Sequence, residues 1–185
     1  MSALTRSQIE SMAAIRLVAF DVDGVLTNGQ LLYTAEGETI KAFHVRDGVG
    51  LKLLQDMGVE VAVISAKRSA MVAARMRDLG IRRYYPGTRD KRQCLASLAK
   101  ELGLAAEQCA FVGDDMVDIP AMTWCGVAMA PADAYERVLS IADWVSSVAG
   151  GQGVARSVAD AILSAKGILE QAYHQTTSAN FERDR

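Results

Sequence analysis

An uninterrupted apolar run at residues 17–20 leads directly into two aspartates, Asp21 and Asp23. A short aliphatic run of this kind is typical of a strand that is buried on both faces of a parallel sheet. Side chains two positions apart on an extended segment share a face, so this strand brings both carboxylates to its carboxyl end. Open α/β sheets bind ligands at that end. Two like charges so close require a cation or a proton between them, so the segment predicts a metal or reaction site.

Short aliphatic runs alternate with helix-like segments along the rest of the chain. After residues 16–21, strands are predicted at 59–64, 83–85, 109–112, 126–129 and 144–145. Helices are predicted at about 2–14, 47–57, 68–79, 90–102, just before 122, from 133 onward and at 154–171. Such alternation indicates an α/β fold with a doubly wound, Rossmann-like, mostly parallel sheet. One element breaks it, a predicted β-hairpin at residues 31–43 that turns at Ala35–Glu38.

Length and composition limit the function classes. The 185 residues fit one domain, with the hairpin and a polar tail at 172–185 as appendages. A net charge of -2 favours neither nucleic acid nor an anionic membrane as a partner. No apolar run approaches the roughly 20 residues that span a bilayer, and no signal peptide is evident. Three cysteines without metal-ligand spacing favour a reducing, cytoplasmic compartment.

Polar residues follow several predicted strands, and a parallel sheet gathers strand ends on one edge. They are Asp21, Asp23, Ser65, Lys91, Asp114, Asp115 and Asp118. Such a set suits phosphoryl transfer: Asp21 as nucleophile, Asp23 as proton donor and then base, Ser65 and Lys91 as phosphoryl contacts. Mg²⁺ prefers carboxylate oxygens, and Asp21 with Asp114 would suit it. Taken singly, each piece has a simpler interpretation; Ser65, for example, would cap the next helix.

Four segments resemble the motifs of the haloacid dehalogenase superfamily of aspartyl-phosphate phosphatases. They are Asp21–Thr27, Val63–Ser65, Lys91 and Gly113–Asp118. Two further segments, Phe43–Gly50 and the glycine-rich Ala149–Arg156, resemble one branch, the 3-deoxy-D-manno-octulosonate 8-phosphate phosphatases. The similarity spans about residues 15–170.

The resemblance implies roles for matching positions. Asp21, the Asp23 backbone carbonyl and Asp114 would hold Mg²⁺, and Asp115 and Asp118 would support its waters. The substrate would be an anionic sugar acid phosphate, hydrolysed in lipopolysaccharide precursor synthesis. Its expected contacts are Asp23, His44, Val45, Arg46, Asp47, Gly48, Lys52, Lys67, Arg75 and Lys91.

This chain departs from the branch at positions that are expected to contact substrate. His44 replaces the usual Asn, Ser65-Ala66-Lys67 replaces Thr-Gly-Arg, Lys52 replaces Arg, and Gln152 replaces Arg. Lysine keeps the charge but loses the bidentate guanidinium fork. These changes leave open a nine-carbon 2-keto-3-deoxy sugar acid 9-phosphate as the alternative substrate.

Only about 40 residues separate Asp23 from Ser65, so the chain has no room for a cap domain. Desolvation strengthens the charge interactions of catalysis, and water must therefore be excluded by another part of the assembly. In this branch tetramers form through the hairpins, and a neighbour's hairpin and tail close the site. The resemblance thus implies a homotetramer, with Leu31, Leu32, Tyr33, Ile40 and Phe43 as interface residues.

Two other classes remain open on sequence grounds. A phosphorylation-dependent signalling receiver also has an acidic pair, a lysine and a metal, but its phospho-acceptor Asp ends the third strand. The corresponding strand here, Val61–Ile64, is followed by Ser65 and Ala66, which argues against a receiver. A catalytically inactive scaffold is disfavoured because all four motifs are complete.

Overall fold

The computed structural model describes residues 4–177. Eight strands are present in this part of the chain: β1 Leu17–Phe20, β2 Leu32–Thr34, β3 Gly37–Ile40, β4 Glu60–Ser65, β5 Arg83–Pro86, β6 Cys109–Val112, β7 Val127–Ala130 and β8 Trp144–Val145. The α-helices are α1 Arg6–Ala13, α2 Val45–Asp56, α3 Ala70–Asp78, α4 Lys91–Glu101, α5 Ile119–Met122, α6 Glu136–Leu139, α7 Val154–Ala165 and α8 Leu169–Thr176.

Six strands form one parallel sheet in the order β5-β4-β1-β6-β7-β8. Alternate residues of β1 enter different cores: Val18 and Phe20 pack on one side of the sheet, Leu17 and Ala19 on the other. Both faces of the sheet are therefore covered by helices, and the predicted doubly wound α/β fold is confirmed. No helix among residues 4–177 is long and apolar enough to cross a bilayer.

The predicted hairpin is present as an antiparallel pair, β2 and β3, separate from the main sheet. Its turn is shorter than expected, because Gly37 and Glu38 already belong to β3. The main sheet places β1 at its centre, between β4 and β6. The carboxyl end of β1 consequently lies beside those of its two neighbours, which is where the acidic residues were expected to gather.

Two helix predictions were wrong in detail. Ser65 does not cap the following helix; Ser69 does, and its side chain accepts from the backbone N–H of Val72 at 3.4 Å. The predicted helix 154–171 ends instead at Ala165, because Gly167 takes a left-handed conformation with φ of 71°. A separate helix, α8, follows, so residues 172–176 of the predicted tail are helical. The remainder of that tail, 178–185, lies outside the described residues.

Candidate active site

The centre of the candidate site is a buried cluster of Asp21, Lys91 and Asp118 at the carboxyl edge of the sheet. The Nζ of Lys91 lies 2.9 Å from the Oδ1 of Asp21 and 2.6 Å from the Oδ1 of Asp118. Lys91 is the first residue of α4, and Asp90 caps that helix by accepting from the backbone N–H of Gln93. The cap fixes where α4 begins and so places Lys91 next to the end of β1.

Asp118 uses both of its carboxylate oxygens within the protein. Oδ1 accepts from Lys91, and Oδ2 accepts from the backbone N–H groups of Asp114 at 3.1 Å and Asp115 at 3.3 Å. These contacts fold the loop after β6 around Asp118. Asp115 itself is exposed, and its carboxylate accepts from the N–H of Met116.

Asp114 completes an acidic triad, since one carboxylate oxygen from each of Asp21, Asp114 and Asp118 lies within 4.8 Å of the others. The Oδ1 of Asp114 is buried and has no hydrogen-bond partner. Gly24 makes this approach possible, because a side chain there would collide with the Asp114 carboxylate. An unpartnered carboxylate oxygen among other carboxylates fits a hard divalent cation, with Asp21 and Asp114 as the ligands that still have oxygens to offer.

Without a bound cation, burial and repulsion between the carboxylates raise the pKa values of two triad residues, Asp21 and Asp114. Burial, reinforced by the charge of Asp118 and opposed by Lys91, raises the pKa of Asp21 to about 6. Burial and the charges of Asp118 and Asp21 raise the pKa of Asp114 to about 8. A divalent cation between Asp21 and Asp114 would favour both ionised forms and bring the two pKa values down.

Ser65 ends β4 on the same edge of the sheet and is buried. Its hydroxyl accepts from the backbone N–H of Lys67 at 3.3 Å, and its carbonyl accepts from the N–H of Thr88. Asp23 lies two residues beyond Asp21, and its carboxylate forms an ion pair with Lys41. The structure therefore brings the expected acid/base next to a cation that the sequence interpretation had not included.

The segment expected to contact the sugar acid begins α2. His44 caps this helix, with Nδ1 accepting from the backbone N–H of Arg46 at 3.2 Å. Val45 and Arg46 are exposed, whereas Gly48 is buried against the guanidinium of Arg75. The segment His44–Gly48 and Arg75, which were all expected to contact substrate, are thus adjacent.

Asp47 joins this segment to the helix that follows the glycine-rich segment. Its Oδ1 accepts from the backbone N–H of Arg156 at 3.0 Å, while its Oδ2 is buried without a hydrogen-bond partner. Burial raises the pKa of Asp47 to about 6. The glycine-rich segment in turn contacts the loop after β1 that carries Asp21 and Asp23 (the catalytic loop), since the N–H of Gly151 donates to the carbonyl of Val25 at 2.9 Å.

Two expected substrate lysines are already paired with carboxylates of this chain. Lys52 forms an ion pair with Asp56 at 2.6 Å and lines a groove of about 920 Å³ beside the first residues of β4 and β5. That groove is at the opposite end of these strands from Ser65. Lys67 lies by the hairpin, 2.6 Å from the Oε2 of Glu38.

Comparison with known proteins places the chain in a family. A model of haloacid dehalogenase-like hydrolases matches residues 41–126. The 3-deoxy-D-manno-octulosonate 8-phosphate phosphatase of Haemophilus influenzae is 46% identical over 158 residues, which is 85% of this chain and 88% of the relative.

Solved structures agree with this assignment. The phosphatase of the same description from Moraxella catarrhalis, in complex with magnesium, phosphate and KDO, superposes with a TM-score of 0.90 at 34% identity, covering 94% of this chain and 100% of that one. The Yersinia pestis phosphatase gives a TM-score of 0.87 at 38% identity, covering 90% of each chain. The chain belongs to the haloacid dehalogenase-like hydrolases, in the family of the 3-deoxy-D-manno-octulosonate 8-phosphate phosphatases. This membership decides against a signalling receiver.

Proposed function

We propose that this protein is a Mg²⁺-dependent phosphatase that hydrolyses 3-deoxy-D-manno-octulosonate 8-phosphate to the free sugar acid and phosphate, a step in lipopolysaccharide precursor synthesis. The observation that carries the proposal is the buried Asp21–Lys91–Asp118 cluster, with the unpartnered Asp114 oxygen beside it. The activity of relatives at up to 46% identity supports it, as does the bound magnesium and KDO of the Moraxella catarrhalis structure.

In the proposed reaction, a carboxylate oxygen of Asp21 attacks the phosphorus, and the bond to the sugar oxygen breaks. Asp23 gives a proton to that oxygen as the alcohol leaves. The resulting acyl phosphate on Asp21 is then hydrolysed by a water that Asp23 deprotonates. Ser65 and Lys91 hold phosphoryl oxygens, and Lys91 offsets charge on both the nucleophile and the phosphoryl group.

Asp21, Asp114 and the backbone carbonyl of Asp23 would hold Mg²⁺, which would supply positive charge against the phosphoryl oxygens. Asp118 contributes indirectly, because it holds Lys91 and the loop that carries Asp114. Asp115 would act on waters of the metal rather than on the metal itself. His44 to Gly48, Arg75 and Lys67 would recognise the sugar acid, and Lys52 would do so only through a rearrangement or another subunit, since it lies apart in this chain.

We further infer a homotetramer in which neighbouring subunits close the site. The hairpin supports this inference because its apolar side chains lie in solvent: Tyr33 is 62% exposed and Ile40 is 57% exposed. Contiguous exposed apolar surface of this kind marks protein interfaces. Phe43, which was also expected at the interface, lies beyond the end of β3 and packs against the core of its own chain. We also propose a cytoplasmic location, since the three cysteines form no disulfide.

The test is a phosphate-release screen with Mg²⁺ over the eight-carbon acid 8-phosphate, a nine-carbon 2-keto-3-deoxy acid 9-phosphate and simple hexose phosphates. We expect the highest kcat/KM for the eight-carbon substrate and no release when EDTA replaces Mg²⁺. A preference for the nine-carbon substrate would support the alternative that the departures at His44 and Lys67 leave open. Release from none of them would contradict the proposal and favour an inactive scaffold.

A double variant, His44→Asn with Lys67→Arg, restores the residues that are usual in the branch. If these two positions shift specificity toward nine carbons, the variant should raise the ratio of eight- to nine-carbon kcat/KM. An unchanged ratio would show that neither position selects the substrate. The matched control is Lys100→Arg, an exposed lysine at the far end of α4.

A further inference from the structure

Lys41 belongs to none of the motifs, yet its side chain is buried at the candidate active site. It follows directly after β3 of the hairpin. Its Nζ forms an ion pair with the Oδ1 of Asp23 and another, at 2.8 Å, with the Oε1 of Glu38. Only 1% of the Lys41 side chain is exposed, so both contacts are shielded from solvent.

These contacts belong to a row of alternating charges that connects three parts of the chain. Glu38 also contacts the Nζ of Lys67 through its other oxygen, Oε2, at 2.6 Å. The Lys67 ammonium lies 5.5 Å from the centre of the Tyr33 ring. The row therefore runs from the catalytic loop at Asp23, through the hairpin at Lys41 and Glu38, to the loop after β4 at Lys67.

The row gives Asp23 a fixed partner that it would otherwise lack. Asp23 is more open than Asp21, with 30% of its side chain exposed. An exposed carboxylate samples several rotamers, and only some of them face the substrate. An ammonium that is buried between the carboxylates of Asp23 and Glu38 does not readily give up either counter-ion, so Lys41 holds Asp23 in one place.

We propose that Lys41 is a positioning residue that holds the carboxyl group of Asp23 for proton transfer, and that Glu38 keeps Lys41 in place. The inference rests on the proposed phosphatase function. The Oδ1 of Asp23 stays against Lys41, so Asp23 carries the proton on its other oxygen, Oδ2. When the Asp21–phosphorus bond forms and the bond to the sugar oxygen breaks, this proton passes to the sugar oxygen, and Lys41 keeps its own protons. A proton donor must lie within hydrogen-bond reach of the oxygen that it protonates.

The test compares two leaving groups. The sugar alcohol of 3-deoxy-D-manno-octulosonate 8-phosphate needs a proton to leave, whereas p-nitrophenolate leaves from p-nitrophenyl phosphate without one. For Lys41→Met, kcat/KM for the sugar acid phosphate should fall by about 100-fold, the usual cost of a misplacement of about 1 Å. For p-nitrophenyl phosphate the fall should stay below about 5-fold, because general acid catalysis contributes little there.

Two further variants keep the test decisive if Lys41→Met is poorly folded. Glu38→Gln keeps the shape of the Glu38 side chain but removes its charge. The ratio of kcat/KM for the sugar acid phosphate to kcat/KM for p-nitrophenyl phosphate should then fall by about tenfold, because Lys41 has one carboxylate partner instead of two. Lys41→Arg keeps the charge and should recover most of the ratio. Lys100→Met, an exposed lysine in α4, is the matched control and should leave both rates unchanged.

The outcomes separate the inference from the function on which it rests. Equal falls for both substrates in the folded variants would mean that Lys41 only supports the structure, and unchanged rates would mean that it does not position Asp23. Either result overturns the inference while wild-type activity leaves the phosphatase assignment intact. If wild-type protein released phosphate from neither substrate, both would be overturned together.

Discussion

The catalytic edge of the sheet and the β2–β3 hairpin differ in how much of their environment this chain supplies. Asp21, Lys91 and Asp118 are buried and satisfy one another within the chain. The hairpin presents Tyr33 and Ile40 to solvent and forms its own separate sheet. The contrast fits the proposed assembly, in which the chemistry would be built inside one chain and closure of the site would be left to a partner subunit.

The largest effect is expected at the nucleophile. Asp21→Asn removes the proposed attacking oxygen and should lower kcat by about 10⁴-fold or more, as loss of a catalytic nucleophile does elsewhere. Phosphate release at saturating substrate measures it. Circular dichroism should show the same fold, because the change removes one of several crowded charges. Asp78→Asn, at an exposed position in α3, is the control and should retain full activity. Substantial turnover by Asp21→Asn would mean that another residue is the nucleophile.

The next effect concerns the stability of the catalytic edge. Lys91→Met leaves Asp21 and Asp118 buried without their counter-ion and should lower the free energy of unfolding by about 3–5 kcal/mol. Urea denaturation without metal measures the change. Mg²⁺ should recover part of the loss, since it supplies positive charge to the same carboxylates. Lys100→Met should change stability by less than about 0.5 kcal/mol. Equal effects of the two lysine variants would show that Lys91 is not the counter-ion of the cluster.

A third prediction links the acidic triad to pH. The pKa values of Asp21 and Asp114, raised to about 6 and about 8 in the folded protein, lie above the ordinary value of 3.8. Without metal, both groups therefore stabilise the fold below pH 4, and this contribution is lost as pH rises through about 6 and 8.

Mg²⁺ binds the ionised carboxylates, so its apparent affinity should weaken by about tenfold per pH unit between about pH 8 and 6, and more steeply below 6 where Asp21 also takes up a proton. The rise in Tm on adding a fixed Mg²⁺ concentration should then be largest near pH 8 to 9 and small by pH 5 to 6. Differential scanning calorimetry with and without metal measures it. An Asp114→Asn variant should lose most of this dependence. A metal-induced shift that is independent of pH would contradict the assignment of Asp114 as a ligand.

The smallest effect on the single chain is expected at the hairpin. Ile40→Glu adds a charge at an exposed position and should change the unfolding free energy of the monomer by less than about 0.5 kcal/mol. It should nevertheless break the proposed tetramer, because the charge would be buried in the interface. Sedimentation velocity measures the assembly. Val145→Glu, an exposed position on β8 at the edge of the main sheet, should leave the assembly unchanged. An intact tetramer in Ile40→Glu would exclude this face as the interface.

Regular local patterns explain which parts of this structure could be predicted from sequence. The runs before Asp21, Ser65 and Gly113 are continuously apolar, so the strands and their shared edge followed from periodicity. The predicted helix 154–171 runs across Gly167, although Gly58, Gly80 and Gly103, which take the same left-handed conformation, directly follow the predicted helices 47–57, 68–79 and 90–102. Within α7 and α8 the apolar pattern continues across the glycine and hides the break.

Contacts between distant segments were beyond prediction from local sequence. Lys41 lies 18 positions after Asp23, and only the docking of the hairpin brings the two together. Lys52 is a helix residue whose position relative to the active site depends on which end of α2 faces it. Two conclusions stay predictions: that residues 1–185 form one domain, and that the individual site residues have the roles given to them.

The most direct test of the account is to find where the phosphoryl group is held during turnover. Wild-type protein mixed with 3-deoxy-D-manno-octulosonate 8-phosphate and Mg²⁺ is quenched with acid within the first turnover, digested and analysed by mass spectrometry. We predict a phosphoryl group on the peptide that contains Asp21, absent from Asp21→Asn and absent when EDTA replaces Mg²⁺. Turnover with no phosphorylated peptide, or with the phosphoryl group on another residue, would contradict the account.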